Sequence, residues 1–169
     1  MSDASATELL AALVRIPSPS GEEGKVAACL ERWAAAAGLA ASRDEAAVRI
    51  EVPGAAPGPT LLLASHLDTV PAGDAWEVDP FAAVVRDGAL WGRGAVDAKG
   101  PLSAMCAAAA RLAAEGGPRR GRLVVLATYG EETRHTSMPA LSRPSDPPRM
   151  ERWWASPPVS SPVSPSGVC

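Results

Sequence analysis

An α/β fold is what this sequence predicts, and three observations predict it. Two continuous apolar runs, TLLLASHL (60–67) and RLVVLATYG (122–130), have the length and composition of strands buried on both faces. Alanine- and leucine-rich stretches with apolar residues at helical spacing alternate with them. Pro, Gly and Asp-Gly punctuation separates the segments, so strands and helices interleave as they do when helices cover a sheet.

Residues 4–15 (ASATELLAALVR, stopped by Pro17 and Pro19) carry apolar positions on one helical face behind Ser5 and Thr7, which suit a helix start. A second helix is expected over about 21–38. Its opening Ser20-Gly21-Glu22-Glu23 places carboxylates at the positive end of the helix dipole, and Gly38 ends it. The strand AAVRIEV (46–52) and a Pro/Gly turn lead into TLLLASHL. Around Asp87-Gly88, FAAVV and ALWG form a hairpin pattern. Residues 101–115 form an alanine-rich helix closed by Gly116-Gly117-Pro118, and RLVVLATYG follows as the last strand.

Composition excludes several functions. The 169 residues are 47% hydrophobic and 21% charged with a net charge of -3, which fits one soluble globular domain and gives nucleic-acid binding no electrostatic support. No uncharged apolar run is long enough to span a bilayer. The opening MSDASATELLAALVRIP carries Asp3 and Glu8 where a signal peptide needs basic residues, so a cytoplasmic location without membrane contact is expected. Cys29, Cys106 and Cys169 are odd in number and lack a CxxC spacing, so neither a disulfide framework nor a thiolate metal site is indicated; Cys29 and Cys106 read as small buried hydrophobes.

Three constellations carry chemistry. SHLDTVP puts His66 and Asp68 at the carboxyl end of an apolar strand, where ligands bind in open α/β sheets, and the His-x-Asp spacing lets a carboxylate fix the imidazole tautomer for metal binding. Read alone, His66 is equally a satisfied core histidine and Asp68 a turn former. WGRGAVDAKGP sets Asp97 in a glycine-rich loop before a helix, where its two oxygens could bridge two cations or cap the helix; Gly92, Gly94 and Gly100 permit close backbone packing there. Lys99 in the same motif reads as a solvated helix residue, and neither Trp91 nor Cys106 has a role in this chemistry. Glu131 and Glu132 end a very apolar strand. Adjacent carboxylates repel unless a cation or shared proton relieves them, so the pair is either a solvated strand exit or one metal ligand beside one general base.

LVRIPSPSGEE, SHLDTVP, GRGAVDAKGP and the strand ending GEE, in this order and spacing, resemble the M20 family of dinuclear zinc aminoacylases and peptidases, over residues from about 8 to 132. The resemblance implies the N-terminal portion of a zinc-exopeptidase-like three-layer sheet domain and metal-assisted hydrolysis of an amide. It implies two zinc ions per site, with cobalt as an alternative. His66 would bind one zinc, Asp97 would bridge both, Glu132 would bind the other, Glu131 would be the general base, and Asp68 would orient His66. The wording IPSPSGEE, GRGAVDAKGPL and TYGEE is most similar to the branch that releases lysine or ornithine from an amino-group carrier protein in amino-acid biosynthesis. Acetylornithine deacetylase, succinyl-diaminopimelate desuccinylase and carboxypeptidase, acting on small N-acyl amino acids or peptides, are the alternatives within the family; a non-catalytic zinc-binding or interaction module is the alternative outside it. Full-length members of the family are expected to be homodimers.

The ending breaks the pattern. Eight of the 17 prolines fall between Pro139 and Pro165 among dense serine, as expected of a disordered tail. This divides the chain into a partial catalytic domain, 1–134, and a Pro/Ser-rich tail, 135–169. Family members continue with a further acidic ligand on a GEP-like segment, an inserted lid or dimerisation domain and a late histidine, none of them recognisable here; His135, in an Arg-rich setting, is a poor substitute. Trp153 and Trp154 have a single codon each. Synonymous codons for RWWASPPVS, read one frame over, spell VVGEPSGF, so the tail is expected to be out-of-frame translation. His66, Asp97 and Glu132 would then be an incomplete two-metal set able to hold one zinc weakly, with an apolar face left uncovered and catalysis by this chain doubtful.

Overall fold

The structure is a computed structural model that describes residues 6–134 and the strand 150–154. Two helices open the chain, α1 (Ala6–Val14) and α2 (Gly24–Ala36), followed by strands β1 (Ala40–Arg43), β2 (Ala47–Pro53) and β3 (Thr60–His66). A hairpin, β4 (Val84–Arg86) and β5 (Ala89–Trp91), leads through a distorted helical turn, Ala95–Lys99, into α3 (Gly100–Ala114); β6 (Arg122–Thr128), α4 (Glu131–Arg134) and β7 (Met150–Trp154) follow.

Local chemistry explains the boundaries. At the end of α2, Gly38 takes φ 74°, and the N–H groups of Gly38 and Leu39 donate to the carbonyls of Ala35 and Ala34, which stops the helix where the glycine predicts. The hairpin turns at Asp87 (φ 53°) and Gly88 (φ 77°), the left-handed pair that a two-residue turn matched to strand twist requires. Pro101 sits in the first turn of α3, where its missing N–H costs nothing. β1, an exposed edge strand of four residues, has no apolar alternation and was not legible in the sequence.

The main sheet runs β1-β2-β6-β3-β7. β2 is antiparallel to β1 and β6, while β3 is parallel to β6 and β7. Register places Val48 opposite Ala127, Ile50 opposite Val125 and Val52 opposite Leu123, one apolar face that packs with Leu9, Leu13, Val26, Leu30, Leu102 and Cys106 from α1, α2 and α3. Burying roughly this set of side chains at 1.5–3 kcal/mol each is the main favourable term for the domain. β6 is buried from Leu123 to Thr128. β3, expected to be buried throughout, is only half-buried before His66, and Leu61 is 39% exposed. Beyond it lies β7, a short segment of the Pro/Ser-rich stretch whose backbone pairs Thr60–Ala64 with Met150–Trp154 and so satisfies the outer edge of an apolar strand. No helix among the described residues is long and apolar enough to cross a membrane.

Candidate metal centre

Parallel pairing of β3 with β6 brings His66 beside Thr128, so both strands deliver their following residues to the same carboxyl end of the sheet. β3 continues into Leu67 and Asp68, and β6 into Tyr129, Gly130, Glu131 and Glu132. The N–H of Leu67 donates to the Thr128 carbonyl at 2.9 Å, which extends the pairing one step toward the site. The chain turns at Gly130 (φ 65°), so the two glutamates stand in the first turn of α4 instead of at the end of a strand.

Asp97 arrives from the Ala95–Lys99 turn. Helical geometry breaks at Asp97 (φ -122°, ψ 101°) and Ala98 (φ -131°, ψ 25°), and the peptide bond between them is cis. The Ser65 hydroxyl donates to the Ala98 carbonyl at 3.2 Å and ties this loop to β3. Gly94 and Gly100 behave as the motif predicts. A Cβ on Gly94 would lie 2.6 Å from the Thr69 methyl, and one on Gly100 would collide with the Ala95 carbonyl oxygen.

These elements converge. One ligand atom each from His66, Asp97 and Glu132 lies within 4.8 Å of the others, and the three were the ligands anticipated from the sequence. His66 Nε2 is 3.0 Å from Asp97 Oδ1 and 3.9 Å from Glu131 Oε2. His66 is buried, while the Asp97 and Glu131 side chains are 77% and 43% exposed, so the group opens to solvent on the carboxylate side.

Asp68 is fully buried and binds more than the imidazole. His66 Nδ1 lies 3.0 Å from the Asp68 backbone carbonyl and 3.4 Å from its Oδ1, so the backbone oxygen is the closer partner and the carboxylate the second. Both Asp68 oxygens also accept from elsewhere: Oδ1 from the Glu131 N–H (3.1 Å), Oδ2 from the Glu132 N–H (3.0 Å) and the Ser20 hydroxyl (2.7 Å). Asp68 therefore links His66 to the first two N–H groups of α4.

Electrostatics follow from this crowding. Burial disfavours a charged imidazole, but hydrogen bonds to Asp68 and Asp97 outweigh it and push His66 up to about 9. Burial alone would raise Asp68; the hydrogen bonds from His66, Ser20 and the two backbone N–H groups hold it well below the usual carboxylate range. Burial raises Glu132, and the charges of Asp97, Asp68 and Glu131 add to the rise against the opposing pull of His66. Several carboxylates around one imidazole leave an excess of negative charge that a divalent cation relieves. One nitrogen and two carboxylate oxygens, open on one side, is a donor set that would hold a divalent metal ion, His66 then serving as the neutral imidazole.

Lys99 corrects an expectation. Read from sequence as solvated, it is fully buried, and its Nζ donates to the carbonyls of Leu13 (3.0 Å) and Ile16 (2.9 Å) at the end of α1. Burial pushes its ammonium down to about 8. The Leu13 carbonyl also accepts the Ile16 N–H (3.1 Å), and the lysine adds a C-terminal cap from another segment. Ser20 and Glu23 were also missed as site residues: the SPSGEE stretch was read only for its effect on α2, although it touches Asp68 and Gly130. Trp91 is half exposed on β5 and Cys106 lies in the core. His135 and Cys169 lie outside the described residues.

Comparison with known proteins bears on the family and the fold. The profile of peptidase family M20/M25/M40 matches residues 62–153, more than half of the chain. Succinyl-diaminopimelate desuccinylase from Methylobacterium sp. (strain 4-46) is 41% identical over 133 residues, 71% of this chain and 33% of the relative. The protein of the same description from Parvibaculum lavamentivorans is 40% identical over 129 residues, 71% of this chain and 32% of its own length. The chain thus spans about a third of the length of these curated relatives. Among solved structures, a di-peptidase from Saccharomyces cerevisiae superposes with a TM-score of 0.67 at 20% identity, covering 80% of this chain and 34% of that one. An M20 family metallo-carboxypeptidase from Sulfolobus solfataricus gives 0.65 at 23%, covering 73% and 30%. Both share the α/β fold described above, and the chain belongs to peptidase family M20/M25/M40.

Proposed function

We propose that this chain carries one wall of the active centre of a metal-dependent amide hydrolase, in which His66, Asp97 and Glu132 hold a divalent ion, zinc foremost. The observation that carries the reading is the approach of those three ligand atoms to within 4.8 Å, with the Glu131 carboxylate 3.9 Å from His66. A bound metal supplies Lewis acidity toward the amide carbonyl oxygen. The residues supply the rest. His66 is held in one orientation by Asp68. Glu131 accepts a proton at its carboxylate from the attacking water and delivers it to the leaving amine, the role its half-exposed side chain at the site's open edge allows. Asp97, with one oxygen toward His66, keeps its second oxygen for a further cation, so a two-metal site would share it.

The substrate class that fits best is an N-acylated diamino acid. Two relatives described as succinyl-diaminopimelate desuccinylases, at 41% and 40% identity, favour a succinyl amide and lysine biosynthesis. Release of lysine or ornithine from an amino-group carrier protein is the second reading, favoured by the wording of the motifs IPSPSGEE (16–23), GRGAVDAKGPL (92–102) and TYGEE (128–132). A cytoplasmic, homodimeric enzyme belongs to the same proposal. So does the division into a catalytic portion, 1–134, and a tail, 135–169, translated from another frame. The family match extends past that boundary to residue 153, and the nucleotide sequence read in all three frames decides it: a second frame continuing as GEPSG supports the division, and its absence removes it.

Zinc titration of the chain against a chromophoric chelator tests the metal reading. One equivalent bound by the wild type, and loss of at least about tenfold in affinity in both His66→Ala and Asp97→Ala, is expected. No zinc bound by the wild type, or equal affinity in the variants, would sink it.

A further inference from the structure

Three successive backbone N–H groups leave β6 toward the site, and each donates to a buried carboxylate. Glu131 and Glu132 donate to Asp68, as described. The first of the three, Gly130, donates to Glu23 Oε1 at 3.0 Å, across 107 residues of sequence. The same oxygen accepts the Gly21 N–H at 3.0 Å. Glu23 is 6% exposed and forms no ion pair with a Lys, Arg or His among the described residues. A carboxylate removed from water without a cation is costly, and here two backbone donors from separate loops are what compensate it.

The position of this contact gives it a consequence. Gly130 is the residue at which the chain turns from β6 into α4, with φ 65°, and the direction of that turn sets where the next two side chains point. Asp68 grips the two glutamates from the His66 side, and Ser20, from the same segment as Glu23, buttresses Asp68. The segment Ser18–Glu23 is itself anchored to the strand exit, since the Ser18 hydroxyl donates to the Leu67 carbonyl (2.8 Å) and the Thr69 N–H to the Ser18 carbonyl (2.9 Å). Glu23 is thus fixed from one side and holds the Gly130 turn on the other.

We propose that Glu23 is a positioning residue for the metal centre: by holding the Gly130 N–H it sets the backbone from which Glu132 reaches toward His66 and Asp97. The proposal rests on the metal-centre reading. Its reach is mechanical, through one peptide.

The test measures zinc affinity by chelator competition, and metal-free melting, for the 169-residue chain and its variants. Glu23→Ala removes the acceptor and is expected to weaken zinc at least about tenfold, the usual scale for residues that support metal ligands, whereas Glu23→Gln keeps an acceptor oxygen and recovers most of the loss. Glu22→Ala, at the exposed neighbour, leaves affinity unchanged. Glu23→Asp keeps the charge but is one methylene short of Gly130, so it reproduces the loss and replaces the alanine variant should that fail to fold. A Glu23 that is merely structural lowers the metal-free melting temperature and leaves zinc affinity at the wild-type value. That result, or a glutamine variant as weak as the alanine variant, overturns the proposal. A wild type that binds no zinc removes the metal centre itself, an outcome distinct from variants that bind as well as the wild type.

Discussion

Asp68→Asn changes one atom of a fully buried side chain, and the structure fixes the size of the effect. Every partner of the Asp68 carboxylate is a donor: the N–H groups of Glu131 and Glu132, the Ser20 hydroxyl, and His66 Nδ1. An asparagine has one acceptor oxygen and one amide nitrogen that only donates. Turned either way, its NH2 faces a backbone N–H, that of Glu131 or that of Glu132. The variant loses at least one charge-assisted hydrogen bond, about 1.5–3 kcal/mol, and strands a buried donor, so a total of roughly 2–4 kcal/mol is expected. Relief of carboxylate desolvation does not cancel this, because the carboxyl is held below its usual range and the folded site therefore favours the ion over the neutral form. Urea denaturation of both proteins across pH measures it. Because Asp68 helps hold His66 up to about 9 in the folded state against 6.5 unfolded, the gap between wild type and variant grows as pH falls from 9 to about 6.5. An acid with a depressed folded pKa contributes its stability above the unfolded value of 3.8 and loses it as pH falls further, so the gap then holds steady to about pH 5 and narrows below 4. A gap under about 0.5 kcal/mol at pH 7, within the usual range of surface substitutions, or one that widens on acidification below about pH 5, refutes the reasoning.

Lys99→Met fills the same space but takes the lysine donor from the Ile16 carbonyl and leaves Leu13 only the Ile16 N–H, and is expected to lower stability by about 1–3 kcal/mol in urea. Because the folded ammonium titrates near 8 and the unfolded one at 10.5, the unfolded chain binds more protons between those values; the wild type gains on the variant as pH rises through that window, where a solvated lysine would show no change. Burial pushes the Cys106 thiol up to about 12, so above pH 9 the unfolded thiol ionises while the folded one does not. Wild type should therefore lose about 1.4 kcal/mol relative to Cys106→Ala for each pH unit well above 9, read as the difference between two denaturation series, and parallel series would contradict a dry thiol.

How far the sequence reveals this molecule depends on the range of each signal. The hairpin at Asp87-Gly88, the stop at Gly38 and the strands β2, β3 and β6 are local, since turn chemistry or an apolar run of the right length specifies each. His66, Asp97 and Glu132 stood out because ordered motifs name them, although they meet only once β3 pairs with β6 and the Ala95–Lys99 turn docks on β3. β1 escaped because an exposed edge strand carries no apolar alternation. Lys99 escaped because its burial depends on two carbonyls 83 and 86 residues away, for which the charge pattern around it gives no sign. Glu23 escaped for a similar reason. Its local role at the start of α2 is sufficient to explain an acidic residue there, and the bond to Gly130 appears only once the strands are assembled.

The central claim is that His66, Asp97 and Glu132 share a metal ion. An anomalous difference map at the zinc absorption edge, from crystals of this chain grown with zinc, tests it most directly. The account predicts a peak about 2.0–2.2 Å from His66 Nε2 and from a carboxylate oxygen of each of Asp97 and Glu132. A peak bound elsewhere with these three side chains still hydrogen-bonded to one another, or no peak at saturating zinc, would contradict it.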